Sequence, residues 1–72
     1  MSIDARFGTL AHEAQDLIVL SVDLFAKAGL AWESKDYAVV AQLIREAAIH
    51  HRRIAELYET IAGDCERATG PS

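Results

Sequence analysis

Apolar residues recur along the first half of this chain with alternating steps of three and four. Phe7, Leu10, Ala14, Leu17, Ser21, Leu24 and Ala28 fall on one line, the repeat of a helix that buries one stripe. Ala11, Ile18 and Phe25 run beside that line at every seventh residue. In the second half Tyr37, Val40, Ile44, Ala47, His51, Ile54, Tyr58 and Ile61 obey the same rule. A column of alanines, Ala41, Ala48, Ala55 and Ala62, flanks them.

One break separates the two patterns, at Ala28-Gly29-Leu30-Ala31-Trp32-Glu33-Ser34. Gly29 is a candidate helix terminus, with Lys27 placed to favour the dipole there. Ser34 or Asp36 is a candidate N-cap for the second helix. The only proline, Pro71, lies in the tail Thr69-Gly70-Pro71-Ser72, which reads as a frayed end. The signals predict helix 1 over about 4–28, a turn over 29–34, helix 2 over about 35–62 and a tail over 63–72. Gly63 either stops helix 2 or lets it run to about Ala68. Each helix is then about 40 Å long, and a short link between two long helices makes them antiparallel. The predicted fold is all-α, one antiparallel two-helix hairpin forming a single domain.

The apolar surface is wider than one hairpin contact uses. Leu17, Ile18, Val19, Leu20 and Val22 surround the middle of helix 1, and a helix apolar all round is covered on several sides. A chain of 72 residues is also marginal alone, since a domain of that size buries only about 60% of its unfolded surface. Cys65 is the only cysteine, so no internal disulfide can compensate. Both points predict assembly. A homodimer forming a four-helix bundle is favoured, because most oligomers are symmetric; a heteromeric interface is the alternative. Leu10, Ala14, Leu17, Ser21 and Leu24, with Ala41, Ile44, Ala48, Ala55 and Tyr58, are the residues expected to form the core and dimer seam. Their small members let helices approach closely.

Composition narrows the function. The chain is 51% hydrophobic and 25% charged, with a formal net charge of −4. An acidic domain lacks the footprint of a nucleic-acid binder and is not drawn to an anionic membrane. The apolar run Leu17–Leu20 ends at Ser21, far short of a membrane span. Met1-Ser2-Ile3-Asp4 shows no basic stretch leading into an apolar one, so the expected location is cytoplasmic.

Candidate chemistry is sparse. In an antiparallel hairpin His12 and Asp16 lie across from Glu46 and His50, residue types that bind transition metals. Bundle metal sites use paired Glu-x-x-His motifs, which are missing, so a solvated face of ion pairs is the favoured reading and no metal or cofactor is expected. His51 sits on the apolar line, either as a pH sensor or, the favoured reading, as a polar group that fixes register. Arg45, Arg52 and Arg53, with His50 and His51, make a basic stretch that either contacts a carboxylate-rich or phosphate-bearing partner or, the favoured reading, is a solvated face on which Arg52 and Arg53 pair with Glu56. Near the turn, either Trp32 and Tyr37 anchor a partner or, the favoured reading, Trp32 folds back and caps the end of the bundle over Leu30 and Tyr37. Cys65 has no activating neighbours in sequence, and no phosphate-binding glycine loop occurs. No catalytic residue is expected.

The length, hairpin plan and alternation of small and large core residues resemble the repressor-of-primer family, two-helix hairpins that dimerise into four-helix bundles and bind paired RNA loops. That resemblance implies an RNA-binding bundle. Here the exposed positions of helix 1 carry Glu13, Asp16 and Asp23, which repel phosphate where that family is basic and polar. The acidic hairpin is also similar to the co-chaperones of type III secretion needle subunits, which implies a helical client. Lys35-Asp36-Tyr37-Ala38-Val39-Val40 followed by Ala47-Ala48 resembles one helical repeat of the tetratricopeptide kind, too little to stand alone. With strong assembly features and no chemistry, the expectation is a non-enzymatic interaction module. It pairs with itself and regulates or inhibits an unidentified protein.

Overall fold

The computed structural model describes residues 2–70 and contains two helices, α1 (Ile3–Glu33) and α2 (Tyr37–Thr69), packed against each other as a hairpin. Its extents are 56 × 19 × 13 Å, a plate two helices wide and one helix thick.

Both helices are longer than the break and the glycines suggest. The Ser2 side chain accepts from the Ala5 N–H and starts α1. The helix then runs straight through Gly29 to Glu33. A helical glycine costs only about 1 kcal/mol, and Leu30-Ala31-Trp32 continue the helix beyond it. Gly63 is likewise inside α2, which ends at Thr69, where Gly70 adopts a left-handed φ of 74°. The expected tail over 63–72 is therefore helical to Thr69; Pro71 and Ser72 lie outside the described residues.

The connection shrinks from the expected 29–34 to Ser34, Lys35 and Asp36. Lys35 N–H donates to Trp32 C=O and Asp36 N–H to Ala31 C=O, both at 2.9 Å. This is the paired closure that satisfies the last carbonyls of a helix, and it needs a left-handed residue between them. Lys35 supplies it with φ 58°. Asp36 then caps α2, its side chain accepting from Val39 N–H. A left-handed L-residue is strained, so Lys35→Gly is expected to raise stability by about 1 kcal/mol in chemical denaturation.

Ala14, Ser21, Leu24 and Ala28 of α1 are buried, with Leu10 and Leu17 half-buried. The predicted line on α1 is thus the hairpin contact, except that Phe7 is exposed. On α2 only half of the predicted line turns inward. Ala47 and Ile54 are buried and Val40 and Ile61 half-buried, but Tyr37, Ile44, His51 and Tyr58 are exposed. Leu43, His50, Leu57 and Asp64 take their place, and Leu57 is the most enclosed side chain at 1% exposure. Either set completes a three-four repeat with Val40, Ala47, Ile54 and Ile61. Two leucines in the inner set outweigh the two tyrosines of the outer set, whose hydroxyls reach water.

Candidate interaction surface

The hairpin has two unlike faces. At about 100° per residue, a second seam on each helix lies beside the buried one. On α1 it runs Gly8, Ala11, Gln15, Ile18, Val22, Phe25, Gly29 and Trp32; on α2 it runs Tyr37, Ala41, Ile44, Ala48, His51, Ala55, Tyr58 and Ala62. Both seams flank the same side of the plate, because residues of each line shared hollows. One, of about 240 Å³, is lined by Ile18, Ser21, Val22, Phe25, Ala47 and His51. The other, of about 300 Å³, is lined by Phe25, Ala28, Gly29, Trp32, Val40 and Ile44. Neither seam contains an Asp, Glu, Lys or Arg, although at the terminal end Glu59 and Glu66 line a hollow with Tyr58, Ala62 and Gly63.

This uncharged face is open. Phe25 is 69% exposed and Trp32 62% exposed. Trp32 meets Tyr37 edge-on with ring centroids 5.4 Å apart, as an aromatic pair prefers. Both rings stay exposed in the hairpin, as does Leu30. A Cβ built on Gly8 or Gly29 meets nothing within 4 Å. Packing inside the hairpin therefore does not require glycine at either position.

Beneath the first hollow Ser21 is 4% exposed, and its Oγ has no hydrogen-bond partner. A buried hydroxyl left unpaired costs about 1–3 kcal/mol. Ser21→Ala is expected to hold or raise the melting temperature. A fall instead means that this hydroxyl has a partner the single chain does not supply.

The opposite face is charged. Arg53 donates from Nε to Glu13 across the helices at 2.8 Å and from Nη1 to Glu56 on its own helix at 3.3 Å. Those bonds, with Glu13 the larger cause, raise its guanidinium above the usual arginine value. Asp64 sits between Arg6 and Arg67, and Lys27 pairs with Asp23 at 2.8 Å, which raises the Lys27 ammonium. Such exposed pairs add little stability; the cross-helix ones fix register. Leu20 and Ile49 lie exposed among these charges.

The residues singled out in sequence are distributed accordingly. Ala41, Ile44, Ala55 and Tyr58 are exposed and Ala48 half-buried, all on the uncharged face, while Leu10, Ala14, Leu17, Ser21 and Leu24 belong to the hairpin core. Trp32 and Tyr37 stand exposed at the turn end of the uncharged face. All three arginines are exposed; Arg53 reaches Glu13 across the helices, and among the described residues the Glu56 partner is Arg53 alone. His12 pairs with Asp16 at 3.7 Å. Glu46 and His50 do not join them, and among the described residues no group of three His, Cys, Asp or Glu side chains could hold a metal ion. Sequence reasoning missed the Glu13–Arg53 and Arg6–Asp64 bridges. The signal for them was Leu43 and Leu57, which set the inner line of α2 and with it the helix faces that meet.

Among the described residues no helix is long and apolar enough to cross a membrane. No family model, curated protein or solved structure matches this chain.

Proposed function

We propose that this chain is a non-enzymatic protein–protein interaction module of the cytoplasm. It works as a homodimer that regulates or inhibits a partner protein. The uncharged face carries the reading. A 7.9 kDa chain folded compactly exposes about 4,400 Å², whereas this hairpin exposes 5452 Å². The excess of about 1,000 Å² is close to the roughly 800 Å² that each partner buries in a standard interface. Phe25, Trp32 and Ile18 are the apolar anchors such an interface uses.

Pairing through that face leaves the charged face for the regulated protein. Leu20 and Ile49 stand there among charges of both signs, Asp16, Asp23 and Lys27 along α1 and Arg45, Glu46 and Arg53 along α2, an apolar centre with a mixed charged rim. It suits a partner that offers an apolar ridge flanked by charged side chains of both signs.

A second reading shares the same observation: a co-chaperone or adaptor hairpin whose apolar face waits for a helical client. Absolute mass by light scattering over a concentration series, with circular dichroism on the same sample, separates the two. A strongly helical dimer supports the self-contained bundle. A weakly helical monomer overturns it in favour of the client-dependent hairpin.

A further inference from the structure

The uncharged face has a pattern of bulk as well as of polarity. On α2 each large side chain, Tyr37, Ile44, His51 or Tyr58, alternates with an alanine. On α1 the bulk is concentrated toward the turn, at Ile18, Val22, Phe25 and Trp32, while Gly8, Ala11 and Gln15 leave the other half low. The two helices are also in step. Ile18 and His51 line one hollow, and Phe25 and Ile44 line the next.

Two hairpins can pair face to face about a twofold axis in two ways. With both turns at the same end, α1 lies over the α2 of the second copy at equal height. Phe25 then meets Ile44, Trp32 meets Tyr37 and Ile18 meets His51, bulk on bulk. Gly29 meets Ala41 and Gly8 meets Ala62, gap on gap, and only Val22 over Ala48 and Ala11 over Tyr58 set large against small. With the turns at opposite ends, each helix lies over its own counterpart. At one register Ile44 then meets the second copy's Ala55, His51 its Ala48 and Tyr58 its Ala41. On α1 the same axis brings Trp32 to the second copy's Gly8 and Phe25 to its Gln15, while Ile18 faces Val22 across the axis and Gly29 faces Ala11. The complementarity is carried mainly by the four large-on-alanine layers of α2 and by Trp32 on Gly8. Helix dipoles do not choose between the two, since both make all neighbouring helices antiparallel. Packing does: interiors fill to near-crystalline density, and a large side chain needs a small one facing it.

We infer that two copies of this chain pair through the uncharged face with their turns at opposite ends, the twofold axis crossing α1 between Ile18 and Val22 and α2 between Ala48 and His51. The inference rests on the homodimer reading above. It assigns one helical glycine a purpose: Gly8, open in the single hairpin, faces Trp32 of the second copy.

Cys65 provides the test. It is the only cysteine, it is exposed, and it lies two heptads beyond His51. A spin label on Cys65 is measured by pulsed dipolar spectroscopy, with dimer mass checked on the labelled protein. Turns at opposite ends put the two Cys65 backbones about 45 Å apart, whereas turns at one end put them within about 20 Å. A second label at the turn, Ser34→Cys in a Cys65→Ser background, keeps the probe off the face and is expected to give about 45 Å as well. A dimer with short distances at either site overturns the orientation and leaves the homodimer reading standing. A chain that is monomeric without label at every concentration overturns both.

Discussion

Truncating Leu57 to alanine is expected to cost about 3–4 kcal/mol of stability, the largest loss of any single core substitution in this hairpin. Leu57 is 1% exposed, the most enclosed side chain in the chain. Its neighbours on the inner line, Ile54 and Ile61, are a turn away on the same helix. Across from them α1 offers mainly Ala14 and Leu10, and small side chains cannot swing in to fill a cavity. The penalty falls on a domain of 72 residues, where total stability is about 5 kcal/mol at best. Urea denaturation followed by circular dichroism measures it. A loss below about 1 kcal/mol means that the helix faces meet differently, since only a side chain at the edge of a contact is so cheap to truncate.

Ile18→Glu is expected to dissociate the proposed dimer, the second large effect. Ile18 lies beside the proposed axis, so the substitution puts two carboxylates into one apolar interface with no cation in either seam to receive them. An uncompensated buried charge costs about 3–5 kcal/mol, enough to shift a dissociation constant by at least a hundredfold. Glutamate is also a good helix former, so the hairpin itself keeps its local propensity. Leu20→Glu is the control: two residues away, it faces the charged side and is expected to leave the mass unchanged. Loss of the dimer with Leu20→Glu and not with Ile18→Glu assigns the interface to the wrong face.

The two predictions rest on different parts of the sequence. Leu57 belongs to the line that closes the hairpin, and Ile18 to a second line one step round the helix. The chain writes both with the same seven-residue spacing. In α1 the inner line was legible, because Leu10, Leu17 and Leu24 sit in it and Asp16 and Asp23 bound it. In α2 the spacing alone was ambiguous. Tyr37, Ile44, His51 and Tyr58 continue the repeat through Val40, Ala47, Ile54 and Ile61 as well as Leu43, His50, Leu57 and Asp64 do. A period names a stripe but not its centre when apolar residues extend to both sides of it.

The sequence by itself determined the class of the protein: two long helices, one interruption, an antiparallel hairpin, and more apolar surface than two helices cover. Periodicity and composition are local properties, and they are sufficient for that. The tertiary structure alone decided where each helix ends and which stripe of α2 faces α1. It also decided that the left-over stripes fall on one side of the plate. Helix ends depended on the hydrogen-bonded closure at Lys35 rather than on the glycines, whose cost of about 1 kcal/mol is small beside the contacts of a continuing helix. The choice of stripe depended on which side chains bury against Ser21, Leu24 and Ala28. That is a property of two surfaces meeting, and neither helix carries it alone.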